Sequence, residues 1–296
     1  MQSQDYIIAS RRVRISGASS RELVAMLRSF DGFCVARDDS TTPLVEIAMG
    51  EKVEFDASCF HCLTRFELED GLGECAFYYG EDGYALLIEG DGSRTMFVSD
   101  KQVRSVKCDL VVAQTMKQVS HVRFGLWFVF NMAFVLNGCS AVHSSVVACR
   151  GGAVMFLGES GTGKSTHTRL WLENIEGAAL LNDDSPFMAC EQNGVCVYGS
   201  PWSGKTPCYK NLSYPLKAVV RLSQAPHNKI YKLNKVQAIG ALLPSLPPAF
   251  VFDKVLEDAL LQILSNVIVQ VDVYHLECLP NAEAAHLSYK TIYGDD

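Results

Sequence analysis

Residues 152–175, "GAVMFLGESGTGKSTHTRLWLENI", constrain the fold more than any other stretch of the chain. Residues 152–157 form a short apolar run suited to a buried strand. A glycine-rich turn from Gly158 to Gly163 follows, then Lys164 and Ser165. Residues 165–175 read as a helix that offers Leu170, Trp171 and Ile175 for packing. Strand, glycine loop and helix in immediate succession require an α/β domain. Glycines let such a loop curl until successive backbone N–H groups point at one anion, and the helix N-terminus adds positive potential.

The spacing is specific: two glycines separated by four residues, then Lys and Ser. Gly158, Glu159, Ser160, Gly161, Thr162, Gly163, Lys164, Ser165 and Thr166 are therefore the candidate nucleotide-binding set. Lys164 is suited to neutralise β- and γ-phosphates, and the Ser165 hydroxyl to coordinate Mg²⁺. The expected cofactors are ATP and Mg²⁺. A chance match in a glycine-rich turn is the alternative, and the flanking strand and helix count against it.

A second element is "AALLNDDSPF", where an apolar strand ends in Asn182, Asp183 and Asp184. Asp183 follows Lys164 by 19 positions, room for one helix and a turn. Carboxylates at a strand C-terminus are well placed for ligands of an open α/β sheet. Two adjacent acids allow two tasks, one holding the metal and one accepting a proton from an attacking hydroxyl. An ordinary Asp-rich turn is the competing reading.

Two further positions stay open on sequence grounds. His143, in "AVHSSVVACRGG", precedes a strand expected to pair near the glycine-loop strand, yet a lone His is more often structural. The stretch "YGSPWSGKTPCYKN", 198–211, can bring Lys205 to a phosphate or an acidic substrate, or be a surface turn with solvated Lys205 and Lys210.

Length sets the wider frame. At 296 residues the chain exceeds the size at which one core usually keeps growing, so two domains are expected. Texture places the division near residue 112: an N-terminal α+β domain, 1–112, and a nucleotide-binding domain, 113–296. In the first, "ECAFYY", "YALLIE" and "RTMFVS" separated by Gly-rich turns read as an antiparallel meander. A helix is expected over 19–30, with Ser19 or Ser20 as N-cap and Leu23, Met26, Leu27 and Phe30 on one face. Cys59, His61 and Cys62 resemble half a zinc site without a second half, so strand cysteines are favoured, Cys75 included. A C-terminal helix, 253–267, should turn Val255, Leu256, Ala259, Leu260, Ile263 and Leu264 to the core, before a strand "VDVYHLECL" on the same sheet.

With 26 basic against 33 acidic side chains, no broad attraction to nucleic acid or anionic membrane is expected. The start of the chain has no signal-peptide pattern, and eleven cysteines then read as reduced thiols in the cytoplasm. The apolar segment 124–142 is interrupted by Asn131 and Asn137 and reads as a buried helix, not a membrane span.

Apolar helix, "HSSVV", "GESGTGKST" and "LLNDD", in that order, resemble the C-terminal domain of HPr kinase/phosphorylase. They are more distantly similar to the nucleotide core of ATP-dependent phosphoenolpyruvate carboxykinase. The resemblance covers about residues 115–215. It implies an α/β P-loop domain with a mixed sheet; the smaller antiparallel α+β domain expected before it rests on residue texture alone. It also implies an active-site role for His143, Mg²⁺ at Ser165 and at one of Asp183 and Asp184, and action of the other acid on a seryl hydroxyl; the assignment adopted is Mg²⁺ at Asp183 and proton acceptance by Asp184. "PWSGK" looks like an element of HPr-kinase-like relatives of unassigned substrate. Thr166 stands where HPr kinases usually carry Glu, and no "RGLG"-type signature is present, so the resemblance does not extend to HPr as acceptor.

The expected activity is transfer of the γ-phosphoryl group of ATP to a hydroxyl of a small molecule or protein. Asp184, Asp183, His143, Lys164 and Lys205 are the expected catalytic set. A carboxykinase-like lyase and an ATP-binding accessory module are the competing classes. Homo-oligomerisation stays open.

Overall fold

A computed structural model of the chain describes residues 3–17, 27–90, 92–111, 113–204 and 206–294. Ser19, Ser20, Leu23 and Met26 of the expected first helix lie outside the described residues, as does Lys205. The described end of that segment, Arg28–Phe33, is a 3₁₀ turn with Leu27 before it, and Leu27 and Phe30 are buried.

The chain forms two compact units, Met1–Asn137 with Ala249–Glu257, and Gly138–Pro248 with Asp258–Asp296. They are close to equal in length. Among the described residues, the first unit holds a nine-stranded sheet. Its strands are β1 (Ser3–Ile8), β2 (Arg11–Ser16), β3 (Cys34–Val35), β4 (Val45–Met49), β5 (Phe60–Leu68), β6 (Gly73–Gly80), β7 (Gly83–Gly90), β8 (Ser93–Asp100) and β9 (Ser105–Cys108). They run in the order β3-β1-β2-β4-β9-β8-β7-β6-β5. The expected meander is the antiparallel run β5 to β9, while β4 joins β2 and β9 in parallel. Cys62 is half-buried on β5 and Cys75 buried on β6; Cys59 departs from the expectation, lying exposed in the turn Ala57–Cys59 before β5.

Helix α1 (Met116–Val135) starts at a capping box made by Thr115 and Gln118. Sequence texture assigns it to the second domain, but its contacts lie in the first unit. Phe128 packs edge-on to Phe77 of β6, ring centroids 4.9 Å apart. A Cβ at Gly125 would collide with the ring of Phe97 on β8, so helix and sheet meet at a distance that only glycine permits. No helix among the described residues is long and apolar enough to cross a membrane.

The second unit contains β10 (Cys139–Ala141), β11 (Ser144–Cys149), β12 (Gly152–Leu157), α2 (Lys164–Asn174), β13 (Ala179–Asp184), β14 (Phe187–Glu191), β15 (Gly194–Tyr198), β16 (Ser213–Gln224), β17 (Lys229–Lys232) and α3 (Lys235–Leu242). Helix α4 (Lys254–Gln270) enters it from the first unit, and β18 (Asp272–Cys278) and α5 (Ala282–Tyr293) complete it. The strand order is β10-β14-β15-β16-β12-β11-β13, with β18 on β16 and β17 on β18. Only β12–β16 and β16–β18 are parallel among these pairs, so the sheet is mixed.

Val154, Phe156, Leu222, Leu276, Trp171 and Ala285 share one buried cluster, which seats α2 and α5 on the sheet. Helix α4 buries Leu256, Leu260, Ile263, Leu264 and Val267, a spacing that follows one helical face. Val255, expected on that face, is 58% exposed because it lies about 100° around the helix from Leu256.

Candidate functional site

Strand register brings the sequence motifs to one end of the second sheet. On β11, Ser145 stands opposite Asp183 of β13 on one side and Phe156 of β12 on the other. Ser144 stands opposite Asp184. The C-terminal ends of β12 and β13 and the residue before β11, His143, therefore converge. This is where ligands bind in open α/β sheets.

The loop leaving β12 has positive φ at Gly158 (159°), Gly161 (79°) and Gly163 (109°), a conformation that side-chain-bearing residues rarely adopt. Thr162 closes it by donating from its backbone N–H and its hydroxyl to the Glu159 carbonyl, at 3.2 and 2.7 Å. Glu159 and Ser160 are exposed, and Gly158 is buried. Gly163 is the N-cap of α2 and supplies no side-chain cap. The first-turn N–H groups of Lys164, Ser165 and Thr166 consequently face the loop without an intrahelical acceptor.

Lys164 reaches back across this loop. Its Nζ donates to the Gly158 carbonyl at 2.7 Å and to His143 Nε2 at 3.1 Å. Burial lowers the pKa of its ammonium from the ordinary lysine value, and Asp184 and Asp183 oppose that shift. A lysine ammonium can only donate, so Nε2 of His143 is the acceptor and the neutral ring carries its proton on Nδ1. Nδ1 lies 3.4 Å from Asp184 Oδ1. The backbone N–H of His143 donates to the Ser245 carbonyl at 2.7 Å, which fixes the base of the side chain.

Beside this chain of contacts, the Ser165 hydroxyl lies 3.3 and 3.2 Å from the two carboxylate oxygens of Asp183. The donor set of Ser165 and Asp183 is all oxygen, the preference of a hard divalent cation. Among the described residues no group of three or more His, Cys, Asp or Glu side chains could hold a metal. A cation at Ser165 and Asp183 would take its remaining ligands from phosphate and water, the usual arrangement of Mg²⁺ with a nucleotide.

Asp184 has φ 142°, strained for a residue with a Cβ. Ser203 and Gly204 hold it there. Asp184 bridges to Ser203, and Gly204 N–H donates to the Asp183 carbonyl at 2.6 Å. A Cβ at Gly204 would stand 3.3 Å from both that carbonyl oxygen and Asp184 Cβ, closer than most such contacts. Asn182, fully buried, ties the same stretch down by donating from Nδ2 to the Trp202 carbonyl at 2.9 Å, while its Oδ1 accepts from Ser185 N–H at 3.0 Å. Lys210 donates to the Leu180 carbonyl at 2.6 Å, further back on β13.

Of the residues expected from sequence, His143, Lys164, Ser165, Asp183 and Asp184 are thus brought together, with Gly158 to Gly163 forming the loop beside them. Arg221, on β16 opposite Leu157, is not singled out by sequence reasoning, yet it lies 3.7 Å from Glu159 in the loop. Its only sequence signal is a lone Arg within the apolar run "AVVRLS".

No family model and no curated protein matches the chain. Among solved structures, the HPr(Ser) kinase/phosphatase from Coxiella burnetii aligns with a TM-score of 0.30 and 11% identity, over 51% of this chain and 92% of that one. That likeness is too distant to assign a function.

Proposed function

We propose that the chain is an ATP- and Mg²⁺-dependent phosphotransferase that delivers the γ-phosphoryl group to a hydroxyl of a small molecule or protein. The observation that carries this reading is the adjacency of two pairs at one strand end. Ser165 touches Asp183, and Lys164 touches the His143 that faces Asp184.

In this reading the loop N–H groups and Lys164 hold the β- and γ-phosphates of ATP. Ser165 and Asp183 are the residues that would hold Mg²⁺, which when bound neutralises phosphate charge. Asp184 accepts the proton of the acceptor hydroxyl. The acceptor oxygen bonds to the γ-phosphorus, the bridging β–γ P–O bond breaks, and ADP leaves with its electron pair. His143 orients the Asp184 carboxylate by donating from Nδ1. Lys205, outside the described residues, is the proposed contact to the acceptor or the transferred group. Positioning and electrostatics supply most of the rate in such chemistry.

The test follows the γ-phosphoryl label of ATP into products, with Mg²⁺ and a pool of small metabolites and proteins. A labelled ester that forms with the wild-type chain and not with Lys164→Ala supports the reading. Phosphoenolpyruvate formed from oxaloacetate and ATP would instead make it a carboxykinase-like lyase. ATP binding without transfer to any member of the pool would make it an accessory module.

A further inference from the structure

Beside the glycine loop, at the ends of β16 and β18 and so across β12 from β11 and β13, the second unit has a cavity of about 600 Å³. Its walls are Thr166 and Leu170 of α2, Leu222 and Ala225 at the end of β16, and Leu279 and Pro280 after β18. Gly161, Thr162 and Gly163 form its border with the loop, and Gln224 ties that border by donating to the Gly161 carbonyl at 3.3 Å. Among the described residues the lining contains no Asp, Glu, Lys or Arg. The charges lie elsewhere along the loop, on Lys164, Asp183, Asp184 and the Arg221–Glu159 pair.

One lining side chain is incompletely bonded. His167 is 2% exposed, and its Nε2 lies 3.2 Å from Ser288 Oγ. The single Ser288 hydroxyl hydrogen is directed to the Ala284 or Ala285 carbonyl, at 3.1 and 3.0 Å, and the same oxygen accepts from Trp171 Nε1 at 2.9 Å. Nδ1 of the same ring is buried and has no hydrogen-bond partner.

We infer that this cavity takes the nucleoside end of the nucleoside triphosphate, with the uncharged base and ribose between α2 and the ends of β16 and β18. The inference rests on the phosphotransferase reading of the loop. It gives the site a direction: the triphosphate runs from the cavity over Gly161–Gly163 to Lys164, and the acceptor hydroxyl approaches from the side of His143 and Asp184. Apolar walls with a few polar groups suit a base, and the volume is within the usual range for small-molecule sites.

Two experiments test it. Calorimetric titration with Mg²⁺–ATP and with Mg²⁺–tripolyphosphate separates the nucleoside from the phosphates. Ala225→Trp, which fills the cavity, should weaken ATP by about ten-fold or more and leave tripolyphosphate within about two-fold, since only the nucleoside contacts are lost. Lys164→Ala should weaken both. ATP binding unchanged in Ala225→Trp but lost in Lys164→Ala would overturn the cavity assignment and leave the phosphate site standing. Absence of binding of either ligand to the wild-type chain would overturn both. The second experiment needs no variant: wild-type chain is photolabelled with 8-azido-ATP and digested. Label within 161–170, 222–225 or 278–280 supports the assignment, and label confined to other residues contradicts it.

Discussion

Nζ of Lys164 lies 3.1 Å from Nε2 of His143, and the same imidazole presents Nδ1 to Asp184 Oδ1 at 3.4 Å. A cation, a neutral ring and a carboxylate thus form one line from the glycine loop to the end of β13.

Loss of Lys164 should remove the cation on the phosphates. Lys164→Ala is expected to lower transfer by about 10²–10³-fold, the usual cost of one preorganised electrostatic contact. Initial rates with γ-labelled ATP check this. A variant within two-fold of wild type, about the scatter expected of an uninvolved side chain, would remove Lys164 from the site.

Asn182 is a structural hinge pin for the acids beside it. Asn182→Ala removes the buried amide that donates to the Trp202 carbonyl, beside the Ser200 hydroxyl, and that accepts from Ser185 N–H. A stability loss of about 1–3 kcal/mol is expected, the usual cost of losing two buried hydrogen bonds. Urea midpoints of the variant and the wild type measure it, and equal midpoints would contradict the assigned role.

His167 makes stability depend on pH. Burial holds its pKa at about 4 against an ordinary 6.5. Between these values the unfolded chain binds a proton that the folded chain does not. The stabilising contribution is complete above pH 6.5 and is lost as pH falls toward 4, by up to about 3 kcal/mol from this group. Midpoints at pH 7 and 4.5 should differ more in the wild type than in His167→Gln. The same difference in both would contradict the burial argument.

Much of the site was legible because its parts are local. The glycine spacing, Lys164, Ser165 and the adjacent acids occupy short stretches whose chemistry does not depend on distant partners. His143 became interpretable only when the β11–β13 register set Ser144 against Asp184. Arg221 and the cavity are products of parallel pairing between β12 and β16, which joins Leu157 to a residue far along the chain. No local pattern announces that. The boundary between units was hidden for a related reason: α1 is apolar enough to serve either sheet, and Phe128 against Phe77 decides it. Val255 shows the limit of counting apolar positions, since the stripe on α4 runs through Val267 instead.

The central claim is that Asp184 acts on the acceptor while Lys164 and the loop hold the nucleotide. Asp184→Asn separates the two most directly, measured by ATP titration and by γ-phosphoryl transfer on one preparation. The account predicts ATP affinity within about two-fold of wild type and transfer reduced by about 10²-fold or more, the scale of a lost general base. Transfer near the wild-type rate in Asp184→Asn would contradict it.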